Sequence, residues 1–292
     1  MPPGIGDISW IYSKLAGLGR PLRIEVADSG PRRALPYLKL LPLVKEARYV
    51  KTPNPAKMRN GDKARPWWHP DVLIARANKG EAIPIDLNGW LEAGNRIEGF
   101  MPEAPTVHHY EIVLTTDCPL RTRLACAGDS TWPRFICFYC ANSDTVRRWH
   151  GWKPAQWAAL ARMLMQEYDF NGIVLLGAEW DRSFANEVYG VFEVQTLNLV
   201  GQLELAETLL VLRNALYLVA FPSGIPILAT VMSRPTLMFY PESLTGLMTS
   251  WVPPDVLQDG TYKAMHFCDP QQVFEWIRDG YRLENREESP RA

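Results

Sequence analysis

The sequence lacks a strong net charge. It contains 31 Lys and Arg residues against 32 Asp and Glu residues, so the formal net charge is −1 at pH 7. A nearly neutral chain has no general electrostatic attraction to nucleic acid or to anionic lipid. Any such contact would have to come from a local basic patch. The charge balance therefore argues against a stable nucleic-acid partner that is held by bulk charge.

Long hydrophobic runs are also missing. No apolar stretch approaches the ~20 residues that a membrane-spanning helix requires, and no secretory signal is visible. Cysteine is scarce and odd in number, with five residues that lie mostly in apolar surroundings. Such cysteines are typical of reduced, buried thiols. We therefore expect a soluble cytoplasmic protein, with peripheral membrane contact left open.

Two common catalytic arrangements are absent from the sequence. No G-x-S-x-G pattern occurs, which argues against a Ser-His-Asp hydrolase built on that turn. The pair in "CFYC" (137–140) has no second cysteine pair to complete a zinc site. Four histidines also show no metal-ligand spacing, namely His69, His108, His109 and His266. We expect structural cysteines and no metal.

What the sequence does contain is a nearly continuous alternation of strand-like and helix-like segments. Of its 292 residues, 47% are hydrophobic, which is enough to bury a sizeable core in each of two medium domains. The alternation predicts parallel sheets that are covered by helices on both faces. We therefore predict an α/β protein of two Rossmann-like lobes, residues 1–128 and 129–292, with a ligand site in the cleft between them.

The individual elements are predicted from the spacing of apolar residues. Predicted helices span residues 8–18, 34–41, 153–168, 205–215, 225–233 and 270–283. Predicted strands span residues 22–27, 72–77, 110–116, 135–141, 172–177, 216–221 and 235–241, and residues 117–134 form the predicted linker. Ligands of open α/β sheets bind beyond the carboxyl ends of the strands. Candidate site residues are therefore sought in the loops that follow strands.

The first candidate loop is "GIGD" at residues 4–7. Gly4 and Gly6 allow the backbone to approach a ligand closely. As a dinucleotide fingerprint the pattern is incomplete, because Ser9 replaces the third glycine. Asp7 stands at the start of the following helix, where a carboxylate repels phosphate. Asp7 is therefore a candidate base, and a helix N-cap is the alternative.

The second candidate loop, residues 142–154, connects a buried strand to a helix. Clustered cations beside aromatic rings suit a pyrophosphate group with an aromatic wall nearby. The alternative is a solvated loop whose tryptophans pack the helix onto the sheet. The residues concerned are Arg147, Arg148, Trp149, His150, Trp152 and Lys153.

Two further loops carry polar residues after strands. Glu179 and Asp181 can bind ribose hydroxyls, or they can cap the next helix. Ser223 can cap a helix while Gly224 leaves backbone N–H groups facing an anion, since a helix N-terminus binds phosphate without a charged side chain. The alternative for this last loop is a simple strand-to-helix turn.

The order and spacing of these segments resemble the heptosyltransferase-type glycosyltransferases of family 9. The resemblance spans most of the chain, is firm over residues 135–241 and is thin over residues 20–130. It rests on "GIGD" against G-x-x-GD, "WKPAQW" (152–157) against W-x-x-x-x-W, "VLLGAE" (174–179), "NLVGQLELAE" (198–207) and "PSGIPILATVMSRPTLMFYP" (222–241).

The resemblance implies the two-lobed GT-B fold and a metal-independent inverting transfer. The sugar would pass from a nucleotide-diphosphate sugar, with no other cofactor, to a hydroxyl of a glycan or lipid-linked acceptor. Asp7 would be the base. The donor phosphates would contact Gly6, Arg147, Arg148, Lys153, Ser223 and Gly224, and the nucleoside would contact Trp152, Glu179, Asp181 and Leu203.

The sequence departs from the family pattern at several positions. Pro222 replaces an aspartate, Ile227 a histidine and Pro241 a glycine, while His150 stands where a lysine often approaches the donor phosphates. The family's first strand would lie before Pro2. These departures leave an inactive GT-B-like binding protein as an alternative.

The acceptor site is predicted in the long polar segment 51–69. Trp67 and Trp68 could dock a sugar ring, with Arg65 beside them. Interleaved basic and aromatic residues could also stack the bases of a single-stranded nucleic acid. A glycosyltransferase that acts on modified nucleic-acid bases is therefore a second alternative, and an ordinary exposed loop is a third.

Overall fold

The computed structural model divides the chain into two compact units, Met1–Val113 and Leu114–Ala292. It describes residues 5–27, 33–50, 105, 107–114, 134–241 and 262–280. The predicted boundary between residues 128 and 129 lies outside these ranges and stays a prediction, as does the cleft between the lobes. The predicted strand 72–77 and the acceptor residues Arg65, Trp67 and Trp68 also lie outside them.

The first unit contains helices α1 (Ile5–Gly17) and α2 (Ala34–Leu38) and strands β1 (Leu22–Ala27) and β2 (Val44–Val50). The two strands pair in parallel. Leu22, Ile24 and Val26 are buried along β1, as the alternation of its sequence predicts for a strand with one face on the core. The predicted strand 22–27 and the predicted helix 8–18 are confirmed, and the second predicted helix is shorter than expected.

The predicted strand 110–116 is wrong over residues 110–114, which the structure describes as irregular backbone. This segment crosses the helices instead of joining a sheet. The Val107 amide donates to the Ser13 carbonyl of α1 at 2.8 Å, and the Val113 amide donates to the Leu40 carbonyl at 2.8 Å. Its alternating apolar residues reflect the burial of Ile112 on this surface, not a strand ladder.

The second unit is built on a six-stranded sheet whose neighbouring strands are all parallel. The spatial order is β5-β4-β3-β6-β7-β8. The strands are β3 (Phe135–Tyr139), β4 (Gly172–Leu175), β5 (Thr196–Asn198), β6 (Tyr217–Ala220), β7 (Thr236–Tyr240) and β8 (Tyr262–His266).

Helices connect the strands of this sheet, as parallel pairing requires. In chain order they are α3 (Ser143–Arg148), α4 (Pro154–Glu167), α5 (Arg182–Gly190), α6 (Leu205–Asn214) and α7 (Gly224–Val231), while α8 (Pro270–Gly280) follows β8. Pro154 occupies the first position of α4, where its missing N–H costs no hydrogen bond.

The central strands form the core of the second unit. Every residue of β3, β4, β6 and β7 is buried, which confirms their prediction from continuous apolar runs. An aromatic cluster extends this core, with Trp152, Trp157 and Phe239 in mutual contact at ring-centroid distances of 4.4–5.9 Å. The sheet therefore provides a rigid support for the loops at its carboxyl edge.

The strand order contains one reversal. From β3 the chain proceeds outward to β4 and β5, and it then returns so that β6 pairs with the other side of β3. The connections after β3 and β6 consequently leave the sheet in opposite directions. In open α/β sheets such a reversal creates a crevice beyond the carboxyl ends of the two strands, and ligands bind there.

Candidate functional site

The chain turns sharply where it leaves β3. Ala141 adopts a left-handed backbone conformation with φ of 63°, which is uncommon for a residue with a side chain. Asn142 follows as the N-cap of α3, and its Oδ1 accepts a hydrogen bond from the Thr145 amide at 3.0 Å. The start of α3 is thereby fixed on the β3 side of the reversal.

A second capped helix begins on the β6 side of the reversal. Ser223 Oγ accepts a hydrogen bond from the Ile225 amide at 3.1 Å, and α7 starts at Gly224. Ser223 is therefore the N-cap that the sequence predicted. The cap uses one of the amides of the first turn, so other amides can face an anion.

The loop that follows β4 is joined to the start of α3 by Asp181. This side chain is only 2% exposed. Its Oδ2 accepts a hydrogen bond from the Ala178 amide at 2.9 Å, and its Oδ1 accepts one from Asn142 Nδ2 at 3.4 Å. Oδ2 therefore fixes the loop to which Asp181 belongs, and Oδ1 joins that loop to the start of α3. The nucleoside contact predicted for Asp181 stays a prediction, and it would compete with these bonds.

The buried carboxylate also affects a neighbouring thiol. Burial raises the pKa of Cys140 well above its usual range, and the negative charge of Asp181 raises it further. Burial alone raises the pKa of Cys137 in the same strand. Both thiols therefore stay protonated and unreactive at neutral pH, which agrees with the structural role expected for them.

The loops after β4 and β5 are tied together by a second polar cluster. Glu179 forms an ion pair with Arg182, and Arg182 Nη2 donates a hydrogen bond to the Gly201 carbonyl at 2.8 Å. Gly201 has φ of 68°, and a side chain there would lie 2.9 Å from the Glu179 Cα atom. Glu179 remains exposed at this edge, and Leu203 lies half-buried in the loop after β5.

The predicted cations lie on the surface of the loop between β3 and α4. Arg147 pairs with Asp144 at 2.8 Å, with both side chains about four-fifths exposed. An exposed pair of this kind contributes little stability, so its guanidinium can exchange partners at little cost. Arg148 and Lys153 are exposed as well, as is His150. The cluster therefore presents positive charge to solvent at the C-terminal end of α3 and in the loop that follows it.

The tryptophans of this loop pack onto the sheet. Trp152 is 1% exposed, and its Nε1 donates a hydrogen bond to the Cys268 carbonyl at 2.8 Å. Trp149 stacks on Phe221 at a centroid distance of 5.6 Å. Gly151 lies so close to Phe221 that a side chain at this position would clash with the ring. This arrangement agrees with the packing alternative, and a nucleoside contact by Trp152 stays a prediction.

Two of the departures from the family pattern lie at the α7 end of the site. Pro222 is half-buried directly after β6. Ile227 is only 6% exposed and belongs to the apolar core of α7. An apolar side chain thus packs where the family has a histidine, and the polar character of this helix start comes from Ser223 and its backbone.

The first unit carries the predicted base. Helix α1 begins at Ile5, so Gly6 and Asp7 both belong to its first turn, and Gly6 is buried. This start places Asp7 inside the helix, which disfavours the N-cap alternative. Gly4 lies outside the described residues. The role of Asp7 as a base stays a prediction.

Asn142 is the residue that sequence reasoning missed. It joins α3, the loop after β3 and, through Asp181, the loop after β4. An Asn between a buried strand and a polar segment is a recognised start signal for a helix. That signal was present in the sequence, whereas the contact with Asp181 joins residues 39 positions apart and has no local signature.

The described ranges contain neither a cluster that could bind a metal nor a helix that could span a membrane. They contain no group of three or more His, Cys, Asp or Glu residues that could hold a metal ion. None of their helices is both long and apolar enough to cross a membrane.

Residues 128–269 match the family model described as glycosyltransferase family 9 (heptosyltransferase). The chain carries a glycosyltransferase family 9 domain. This match confirms the resemblance drawn from the sequence motifs and identifies a glycosyltransferase domain in the second unit. It includes both capped helix starts and the basic loop between β3 and α4.

Solved heptosyltransferases share the fold of this chain. ADP-heptose LPS heptosyltransferase II of E. coli matches with a TM-score of 0.59 and 17% identity over 95% of this chain and 96% of that chain. The E. coli heptosyltransferase WaaC with ADP matches with a TM-score of 0.58 and 14% identity over 95% of this chain and 98% of that chain. The family 9 glycosyl transferase of Veillonella parvula DSM 2008 matches with a TM-score of 0.60 and 12% identity over 96% of this chain and 88% of that chain.

These matches confirm the predicted α/β fold with parallel sheets, in the form seen in GT-B-like heptosyltransferases. At such low identities the solved structures support the fold and not the substrate. The comparison with curated proteins gives no significant sequence match.

Proposed function

We propose that this protein is an inverting glycosyltransferase that moves a sugar from a nucleotide-diphosphate sugar to a hydroxyl of a glycan or lipid-linked acceptor, without a metal ion. The observation that carries the proposal is the reversal point of the second sheet. Two capped helix starts, at Asn142 and Ser223, flank it, and the exposed cations lie in the last turn of α3 and in the loop that follows it. Such an edge suits a ligand that carries two phosphates.

The second unit would bind the donor. Backbone N–H groups near Ser223 and Gly224, with Arg147, Arg148 and Lys153, would neutralise the charge that grows on the diphosphate as it leaves. Stabilisation of developing charge by groups that are already in place is usually the largest catalytic contribution of such a site. The exposed Glu179 and the half-buried Leu203 would contact the nucleoside, since the second strand of such a sheet ends near the ribose.

The first unit would supply the base. Asp7 would accept the proton of the acceptor hydroxyl while that oxygen forms a bond to the anomeric carbon. The bond between the anomeric carbon and the diphosphate oxygen breaks on the opposite face, which inverts the configuration. The nucleoside diphosphate leaves with the bonding electron pair, and the proton remains on Asp7. General-base assistance of this kind contributes roughly 10²–10⁴-fold to a rate.

ADP-heptose is the first donor to test. Two solved structures of similar fold are described as an ADP-heptose LPS heptosyltransferase and as a heptosyltransferase with ADP. The experiment is a thermal-unfolding panel with ADP, UDP, GDP and CDP, followed by ADP-heptose. A ligand at 100 times its dissociation constant stabilises by ~2.7 kcal/mol, which is worth several degrees for a protein of this size.

The site assignment is tested with a double variant, Arg147→Gln with Arg148→Gln. Loss of both charges should weaken binding of the selected nucleotide at least about tenfold, because a hydrogen bond to a charged group contributes roughly 1.5–3 kcal/mol. It should also flatten the salt dependence of binding. Arg162→Gln is the matched control, since Arg162 is an exposed arginine in the middle of α4.

Two results would contradict the proposal. Unchanged affinity in the double variant would remove the two arginines from the donor site. If no nucleotide stabilises the wild-type protein, the donor site is not functional. In that case the replacement of the family's aspartate by Pro222 and of its histidine by Ile227 would favour an inactive GT-B-like binding protein.

A further inference from the structure

A closed circuit of hydroxyl groups lies in the core of the first unit. Ser9 Oγ is 2.9 Å from the Tyr37 hydroxyl, which is 2.9 Å from the Tyr110 hydroxyl. The Tyr110 hydroxyl donates to the Ser9 carbonyl at 3.1 Å, so the circuit begins and ends on one residue of α1. We refer to Ser9, Tyr37 and Tyr110 as the hydroxyl circuit.

The protons of the hydroxyl circuit can be assigned. Tyr110 donates to the Ser9 carbonyl, because a carbonyl can only accept. Tyr37 can then donate to Tyr110, and Ser9 to Tyr37, so that every hydroxyl donates once and each contact carries a proton. Ser9 Oγ also lies 2.8 Å from the Ile5 carbonyl, to which its proton can turn instead.

Two of the three residues of the circuit are shielded from water, and Tyr110 is half-buried. Ser9 and Tyr37 have no exposed surface. Burial raises the pKa of Tyr37 to about 12 and that of Tyr110 well above its usual range, so both phenols stay protonated under ordinary conditions. Buried hydrogen bonds are strengthened by low local dielectric, and a buried polar group that loses its partner is costly. Removal of one hydroxyl therefore leaves the others incompletely satisfied.

The circuit acts on the turn that carries Asp7. Ile5 and Ser9 bracket this turn, and the Ser9 hydroxyl reaches both the Ile5 carbonyl and Tyr37. At 3.6 residues per turn, position 7 is about 200° around the helix from position 9. Bonds on the Ser9 side therefore oppose rotation of α1, and such a rotation would displace position 7.

We propose that Ser9, Tyr37 and Tyr110 are positioning residues that hold the first turn of α1, and with it Asp7, in the orientation required for transfer. The proposal rests on the proposed function, in which Asp7 is the base. It goes beyond that function because it assigns a positioning role to three hydroxyl groups that are not among the proposed donor or acceptor contacts. A reacting group displaced by about 1 Å can lose 10²-fold in rate.

The test uses Tyr37→Phe and Tyr110→Phe in the full chain, with Tyr12→Phe as the matched control. Tyr12 lies in α1 and is as buried as Tyr37. Its ring packs against Tyr110, but its hydroxyl accepts from the Leu43 amide and takes no part in the circuit. Each change removes one oxygen and keeps the ring. Three quantities are measured for each variant: amide hydrogen exchange of residues 5–17, the dissociation constant of ADP, and the rate of ADP release from ADP-heptose with lipopolysaccharide as acceptor.

We expect amide exchange in α1 to accelerate about tenfold in Tyr37→Phe and Tyr110→Phe relative to Tyr12→Phe. The transfer rate should fall roughly 10–10²-fold while ADP binding stays within about twofold. A purely structural role would lower stability and leave the turnover of the folded protein at the control value.

The outcomes separate this proposal from the proposed function. Unchanged exchange in α1 overturns the positioning proposal whatever the activity. Faster exchange with the control's transfer rate also overturns it, and the proposed function then stands if Asp7→Asn is impaired. If Asp7→Asn keeps the full transfer rate, Asp7 is not the base. Both the proposed role of Asp7 and the proposal that the circuit positions it are then wrong. If the wild-type protein binds no nucleotide and transfers no sugar, the proposed function fails, and the exchange experiment alone decides whether the circuit holds the turn.

Discussion

The two units of this protein bury their cores with different kinds of interaction. In the second unit the central strands are buried along their whole length, and their side chains are almost all apolar. In the first unit, helix α1 buries Ser9, Ser13 and Lys14 next to its apolar residues. Apolar packing is non-directional, whereas hydrogen bonds fix distances and angles.

This difference suggests a division of labour. The second unit needs a rigid platform on which helix starts and surface cations can bind a charged donor, and a fully apolar sheet provides it. The first unit needs one helix in a defined rotation, and directional hydroxyl bonds provide that. If the first unit carries the chemistry and the second binds the donor, substitutions in one unit should leave the function of the other intact.

The largest effect is expected for Asp7→Asn. The substitution removes the proton acceptor and keeps the size of the side chain, so sugar transfer should slow by roughly 10²–10⁴-fold. Binding of ADP should stay within a few-fold, because the charged side chains proposed to contact the donor phosphates lie in the second unit. Asp169→Asn, an exposed aspartate after α4, is the control. Weakened ADP binding by Asp7→Asn would show that the two functions do not separate between the units.

A smaller effect, on the free energy of unfolding, is expected at alkaline pH. The pKa of Tyr37 rises to about 12 in the folded state, from about 10 when unfolded, so the folded state holds the proton more tightly. This contribution to stability is complete below pH 10 and is lost as the pH rises through 12. Two pKa units correspond to about 2.7 kcal/mol. The buried thiols of Cys137 and Cys140, also with raised pKa values, start the same decline in the second unit near pH 9.

The measurement is the free energy of unfolding from urea titrations between pH 8 and pH 12, with amide exchange to separate the two units. Tyr37→Phe should remove part of the decline between pH 10 and pH 12 in the first unit. The control is Tyr189→Phe, because Tyr189 is nearly half exposed. An identical alkaline profile in Tyr37→Phe and wild type would show that Tyr37 does not contribute in this way.

The sequence predicted the second unit better than the first, for physical reasons. Strands buried on both faces leave continuous apolar runs, and β3, β4, β6 and β7 were found by that signal. Strand β5 has three residues, and β8, "YKAMH", mixes polar and apolar positions, so neither had a recognisable pattern. The polar helix α3 was assigned to a loop for the same reason.

In the candidate site, local contacts could be predicted from the sequence and contacts between distant positions could not. The cap by Ser223 is a local contact, and local signals are readable from a sequence. The burial of Trp152 is not local, since an aromatic residue beside cations can equally line a ligand site or fill a core. Its partner, the Cys268 carbonyl, lies 116 positions away. The Tyr37–Tyr110 contact of the hydroxyl circuit likewise joins distant segments.

The smallest effect, and the finest test of donor binding in the second unit, is expected at the start of α7. Ser223→Ala removes the bond to the Ile225 amide and should cost about 1 kcal/mol of stability, whereas Ser223→Gly should cost only a few tenths. If backbone N–H groups bind the diphosphate, both variants should keep their affinity for ADP within a few-fold, as measured by calorimetry. A large loss of affinity in Ser223→Gly, with stability retained, would show instead that the Ser223 hydroxyl itself contacts the donor. The polar contribution of this helix start would then come from a side chain, and the replacement of the family aspartate by Pro222 would be compensated at the next position.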